Sequence, residues 1–212
     1  MINSSRTLVL APHTDDAEIG CGGTIARLIE EGTSVYVVAF STAQQSLPED
    51  APGDTLKNEF MNAMPMLGVP EENLFVRDYC VRRLNEHRQS VLEDLVQLGR
   101  DIEPDIVILP SGHDMHQDHQ VVHAEGMRAF KHLTVLGYEL PWNNITFDAQ
   151  AFVTLEPRHL EKKYEAMRCY ESQLSLGRPY FQKEFIEGWA RMRGVQVKVE
   201  YAEAFELMRV KW

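Results

Sequence analysis

Residues 7–23 read Thr-Leu-Val-Leu-Ala-Pro-His-Thr-Asp-Asp-Ala-Glu-Ile-Gly-Cys-Gly-Gly, and this stretch constrains the fold more than any other. Its opening run, 7–11, has the length and apolar character of a buried β-strand. Ile25, Leu28 and Ile29 then recur at helical spacing until Gly32 stops them. A strand feeding a helix through a polar loop puts His13, Asp15 and Asp16 beyond the strand's carboxyl end, where open α/β sheets carry their chemistry. Two carboxylates and an imidazole within four positions repel one another unless a positive charge compensates them. Zinc, which accepts histidine nitrogen and carboxylate oxygen together, fits that need.

The same alternation continues along the chain. Residues 34–41 are rich in β-branched and aromatic side chains and predict a second strand. Pro48, Pro52 and Gly53 mark 42–54 as an exposed loop beside the first motif. Helices are expected at 55–67 and 84–102, strands at 73–76 and 106–109. Farther on, 151–155 predicts a strand, 157–170 and 181–192 predict helices, and 204–210 a terminal strand. Strands alternating with helices of this length imply right-handed βαβ units and a mostly parallel sheet. With 212 residues, 44% of them hydrophobic, no repeat and no linker, the expectation is one domain over 1–212.

The fourth strand leads into a second polar cluster. His113, His116, His119 and His123, four of the chain's eight histidines, fall within eleven residues together with Asp114 and Asp118. If a helix begins at Gln117, His116 and His119 share one of its faces. His13 and Asp16 from the first loop and His119 from the second make three protein ligands. That count leaves a position for water, the pattern of a catalytic zinc.

The stretch His13-Thr-Asp-Asp-Ala-Glu-Ile-Gly-Cys-Gly-Gly23, with His116-Gln-Asp-His119, resembles the LmbE-like (PIG-L type) zinc-dependent N-deacetylase family. A weaker lysine and Ser-Gln pattern in 162–173 agrees, and the motifs together cover about a fifth of the chain. The resemblance implies a three-layer Rossmann-like α/β fold and a homo-oligomer. It also implies removal of an acetyl group from an amino sugar or its conjugate, free or linked to a nucleotide or phosphate. On these positions His13, Asp16 and His119 hold zinc, or another divalent metal such as ferrous iron. Asp15 is the general base that takes a proton from the attacking water, whose pKa zinc lowers towards about 7. His116, protonated, stabilises the oxyanion, and Asp118 orients a histidine. Two positions depart from the family pattern: Thr14 stands where a proline is usual, and Ala17 where an acidic residue often follows the Asp-Asp pair. Neither removes a ligand.

Each of these readings has a blander rival. Asp15 or Asp16 alone would serve as a helix N-cap. His113, Asp114 and His123 are expected to support the site or face solvent, and Cys21 to pack. Gly20, Gly22 and Gly23 lack the final spaced glycine of a dinucleotide fingerprint, so close helix packing explains them better. Residues 82–88, Arg-Arg-Leu-Asn-Glu-His-Arg, are basic in a chain of net charge −11. Arg82 and Arg88 are therefore candidates for a grip on substrate phosphate or carboxylate, the rival being a solvated helix start. Arg77 and Arg178 are more ambiguous, and Trp142 and Trp189 are candidates for stacking on a sugar ring. The charge excludes nucleic acid and acidic membranes as main partners. Three cysteines without CxxC spacing, and no apolar run long enough for a signal peptide or a span, imply a cytoplasmic protein. The alternative to an enzyme is a metal-carrying or sugar-binding protein of the same fold that has lost catalysis.

Overall fold

The computed structural model describes residues 4–211; the first three residues considered in the signal-peptide reading lie outside them. Strands β1 (Arg6–His13), β2 (Ser34–Ser41), β3 (Leu74–Val76), β4 (Ile106–Pro110) and β5 (Thr134–Tyr138) are parallel. Beyond β5, β7 (Tyr201–Arg209) and then β6 (Ala151–Leu155) add antiparallel, giving the order β3-β2-β1-β4-β5-β7-β6. The helices are α1 (Asp16–Glu30), α2 (Thr55–Leu67), α3 (Arg88–Ile102), α4 (Gln117–Ala129), α5 (Pro157–Arg168), α6 (Glu171–Ser175) and α7 (Lys183–Gln196).

Period-two alternation in the strands makes two cores, one on each face of the sheet. Leu8 and Leu10 of β1 pack with Val91, Leu95 and Leu98 of α3 and with Val121 and Val122 of α4. Val9 and Ala11 point the other way, into a core shared with Ile25 of α1, Phe60 and Met64 of α2 and Met167 of α5. The result is a three-layer α/β fold. From β1 the chain moves outward through β2 to β3, then returns to add β4 on the other side of β1. The crevice between the carboxyl ends of β1 and β4 is thus the point where strand order reverses, the place such sheets bind ligands. Both polar loops start there.

Helix α1 begins at Asp16, earlier than the apolar spacing suggests, and is kinked at Cys21 (φ −147°, ψ 24°). The kink is held from afar by a buried ion pair. Lys163 Nζ donates to the Ile19 carbonyl at 2.6 Å and to Glu203 Oε1 at 2.7 Å. Glu203 in turn accepts from the backbone N–H groups of Gly23 (3.0 Å) and Thr24 (2.7 Å), capping the second segment of the helix. The glycines permit this approach. A Cβ on Gly20 would lie 2.3 Å from the Tyr138 ring, and one on Gly23 would lie 2.5 Å from Leu155. Close packing accounts for both.

Other differences from the sequence reading are local. Strand β5 has no counterpart in it, because its five residues end in Gly-Tyr and carry no strong alternation. The expected helix 84–102 is a 3₁₀ turn, Leu84–His87, followed by α3, since residues 82 and 84 are tethered elsewhere (below). Helix α7 starts two residues later and ends four later than expected, and β7 starts three earlier. Among the described residues no helix is long and apolar enough to cross a membrane.

Candidate functional site

The loops after β1 and β4 bring three imidazoles and four carboxylates together. His13 Nδ1, Asp16 Oδ2 and His119 Nε2 form a triangle with sides of 3.1, 3.2 and 3.3 Å. A tetrahedron with bonds of about 2.0–2.1 Å has edges of about 3.3–3.4 Å, so these three atoms are spaced as donors to one zinc-sized cation. The opposite ring nitrogens are held by carboxylates. His13 Nε2 lies 2.9 Å from Asp118 Oδ2, and His119 Nδ1 lies 2.8 Å from Asp114 Oδ2. Such partners fix which nitrogen faces a metal. His116 belongs to a looser set: ring nitrogens of His13, His116 and His119 lie within 4.8 Å of one another.

The electrostatics point the same way. Burial alone would lower the pKa of His13, but the Asp16 charge and hydrogen bonds to Asp118 and Asp16 raise it to about 9. His119, also buried, is raised to about 10 by Asp16 and Asp114. Asp16 is held well below the carboxylate range, because the charges of His119 and His13 outweigh its burial. Without a metal, the pocket gathers protons where a divalent cation fits.

Asp15 and Asp16 are not serving as caps. Asp15 occupies the N-cap position of α1 without a side-chain cap bond, and Asp16 Oδ2 turns back to accept the His13 N–H at 2.8 Å. Burial, then the Asp16 charge, raises the Asp15 pKa to about 6, a value suited to a general base near neutrality. His116 caps α4, its Nδ1 accepting from the Asp118 N–H at 3.2 Å. In the neutral ring the proton then sits on Nε2. Burial and the neighbouring His119 and His13 lower its pKa to about 4.

Asp118 has a second task. Its carboxylate accepts the N–H groups of Arg82 (2.6 Å) and Leu84 (3.2 Å), pinning the segment before α3 to the site. Arg82 is thereby held at φ 65°, a left-handed conformation uncommon outside glycine. The cleft above the histidines, about 240 Å³, is lined by Thr14, Asp15, Arg82, His116, Trp142, Asn143, Gln173, Arg178 and Tyr180 among others. Arg88 is not among them. Its guanidinium is engaged by the buried Glu125 carboxylate at 2.5 Å, so it does not face a substrate in this cleft. Trp189 is likewise turned away, donating Nε1–H to Glu139 at 2.7 Å. Trp142 instead stacks on Tyr180, with ring centroids 3.9 Å apart. His113 is engaged by Glu206 at 2.6 Å and His123 by the Pro110 carbonyl at 2.8 Å, both away from the donor triangle. The sequence reading gave Asp114 only a general supporting role and left Arg178 undecided; Tyr180 it did not single out.

The PIG-L family, described as GlcNAc-PI de-N-acetylase, matches residues 8–130, which include both loops. The uncharacterized deacetylase YaiS of Escherichia coli (strain K12) is 30% identical over 169 residues, 78% of this chain and 90% of that one. Among solved structures, the N,N'-diacetylchitobiose deacetylase from Pyrococcus horikoshii superposes with a TM-score of 0.81 at 22% identity, covering 97% of this chain and 84% of that one. GalB, the 4-carboxy-2-hydroxymuconate hydratase from Pseudomonas putida KT2440, gives 0.77 at 21% identity, covering 98% of each chain. At these identities the structures share the fold, and one fold carries more than one reaction.

Proposed function

The chain belongs to the PIG-L family of de-N-acetylases and is a deacetylase, and on that premise we propose that, as one domain, it hydrolyses the N-acetyl group of an amino sugar or amino-sugar conjugate. The observation that carries this reading is the donor triangle of His13, Asp16 and His119 with the uncapped carboxylate of Asp15 at its side. His13 Nδ1, Asp16 Oδ2 and His119 Nε2 would hold zinc, which when bound supplies Lewis acidity to the acyl oxygen and acidifies water. Asp118 and Asp114 keep the two rings turned toward it.

Asp15 takes the proton of the attacking water as the new C–O bond forms. His116, with Nδ1 engaged by the Asp118 N–H, donates Nε2–H to the oxyanion of the tetrahedral intermediate. Asp15 then passes its proton to the departing nitrogen as the C–N bond breaks, releasing acetate and the free amine. Arg82 lines the same cleft and is the remaining candidate in the basic segment for contact with substrate. The unpaired state of Cys21, Cys80 and Cys169 fits a cytoplasmic enzyme.

The test is acetate release by the zinc-loaded protein from free N-acetylglucosamine, a nucleotide-linked N-acetyl sugar, a glycoside and an N-acetyl amino acid. Release from the sugars that Asp15→Asn abolishes is the expected result. Zinc uptake with no acetate from any of them would favour a metal-carrying or sugar-binding protein instead.

A further inference from the structure

Asp15 differs from the ligands beside it in what holds it. Among the described residues no other side chain hydrogen-bonds its carboxylate, so its direction is set by its own backbone. An aspartate at an N-cap ordinarily has an extended backbone and turns its carboxylate onto the N–H groups of its own helix. Asp15 is held instead at φ −106° and ψ −10°, and makes no such bond. Its neighbour does not fix it from within, because Thr14 stands where a proline ring would lock φ. The restraint comes from 156 residues farther along the chain, where the Tyr170 hydroxyl donates to the Thr14 carbonyl. The same phenol oxygen lies 2.5 Å from Glu18 Oε1. One phenolic hydrogen cannot serve both acceptors, so the count closes when Glu18 is a neutral acid that donates to the phenol. Burial, which pushes the Glu18 carboxyl well above the usual carboxylate range, agrees with that count. Tyr170 is itself fully buried, edge-on to Phe181, and the segment after it is pinned to α2. There Glu59 accepts the Ser172 N–H at 2.8 Å and its hydroxyl at 2.6 Å. Tyr170 lies outside the 8–130 segment that the family matches.

We propose that Tyr170 is a positioning residue for the hydrolysis: its hydroxyl, backed by Glu18, clamps the Thr14–Asp15 peptide and so keeps the Asp15 carboxylate on the attacking water instead of on the first turn of α1. The clamp and the Lys163 contact to the Ile19 carbonyl fix the two ends of 14–20, the stretch that carries both the base and the ligand Asp16. Released from the clamp, Asp15 would relax towards the extended backbone of an ordinary cap and accept from the N–H of Ala17 or Glu18, the second and third residues of the helix. Such a turn removes the base from the water and leaves the metal donors in place, because Asp16 is held separately by the His13 N–H. The inference rests on the deacetylase reading above and adds to it the residue that aims the base.

The experiment measures kcat and KM on the best N-acetyl sugar of the panel above, zinc content, and amide hydrogen exchange by NMR. It uses wild type, Tyr170→Phe, Glu18→Met and Glu18→Gln. Tyr170→Phe is expected to lower kcat by about ten- to a hundredfold, with KM and zinc per chain unchanged. In the same variant the Ala17 or Glu18 amide should exchange more slowly than in wild type, since the freed carboxylate now caps it; a merely structural loss would speed exchange instead. Glu18→Met should lower kcat in the same way, and Glu18→Gln, whose amide donates to the phenol oxygen, should recover most of it. An unchanged kcat in Tyr170→Phe, or a loss that only tracks lost zinc or folded protein, overturns the clamp and leaves the deacetylase intact. If Tyr170→Phe does not fold, the Glu18 pair decides: recovery in Glu18→Gln upholds the clamp, and equal kcat in both variants overturns it. If the wild type releases no acetate, the deacetylase reading fails and the clamp is judged by exchange alone. Slower exchange at Ala17 or Glu18 in Tyr170→Phe then upholds it, and unchanged or faster exchange overturns it.

Discussion

The floor of the cleft and its wall differ in how completely their polar atoms are engaged. On the floor, His13, His119, Asp16 and Asp118 each make two or more polar contacts, and all are buried. On the wall, Arg178 has a buried Nε with no acceptor among the described residues, and Trp142 is 39% exposed. A floor satisfied by its own carboxylates is preorganised for one reaction, with little left to adjust when substrate arrives. On the proposed reading the chemistry lies with the loops after β1 and β4, while residues 140–143 and 173–180 line the cleft above them.

The largest way to break this division is to remove a floor ligand. His119→Ala should lose bound zinc and, with it, measurable turnover; elemental analysis of the purified variant checks this, and full zinc content would remove His119 from the ligand set. Asp15→Asn should lower kcat by about 10²–10⁴-fold. Next is the support behind the ligands. Asp114→Asn should weaken metal affinity by about 10–100-fold while the fold stays intact, as competition with a chelator would reveal.

The protons gathered in the pocket give a pH test. In the metal-free protein the pKa values of His13 and His119, about 9 and about 10, exceed the ordinary histidine value. Their stabilising contribution is therefore complete below pH about 6.5 and is lost as pH rises through those values. A metal must displace both protons, so its affinity should increase with pH, by up to about 100-fold per unit between pH 6.5 and 9. An affinity that is flat over this range would mean that the rings are neutral before loading. The smallest effect concerns Arg88, whose partner is Glu125 rather than a substrate. Arg88→Ala should leave KM unchanged and cost about 1 kcal/mol of stability, since Arg128 still pairs with Glu125.

The floor was legible in the sequence because its residues are contiguous in two short motifs. Each motif follows an apolar run that reads as a strand, and strand ends at a reversal of sheet order face one another. The partners of those residues were only partly legible. Asp118 as an orienting group was implied by the family resemblance, whereas the pairing of Asp114 with His119 depends on how the loop turns before α4. Arg88 shows the limit of local charge. A basic run in an acidic chain suggests a ligand grip, yet the carboxylate that occupies Arg88 lies 37 residues away on another helix. The wall was barely legible, since Trp142, Arg178 and Tyr180 come from loops with no periodicity and meet only in the folded chain. The kink in α1 was hidden for the same reason: the Glu203 that caps it is 180 residues from Gly23.

The decisive measurement is zinc content and acetate release on the same preparation of Asp15→Asn beside wild type. One zinc per chain is expected in both proteins, with acetate released from an N-acetyl amino sugar by the wild type alone. Turnover retained in Asp15→Asn would contradict the base, and zinc lost with it would contradict the separation of ligand from base on which the floor's chemistry rests.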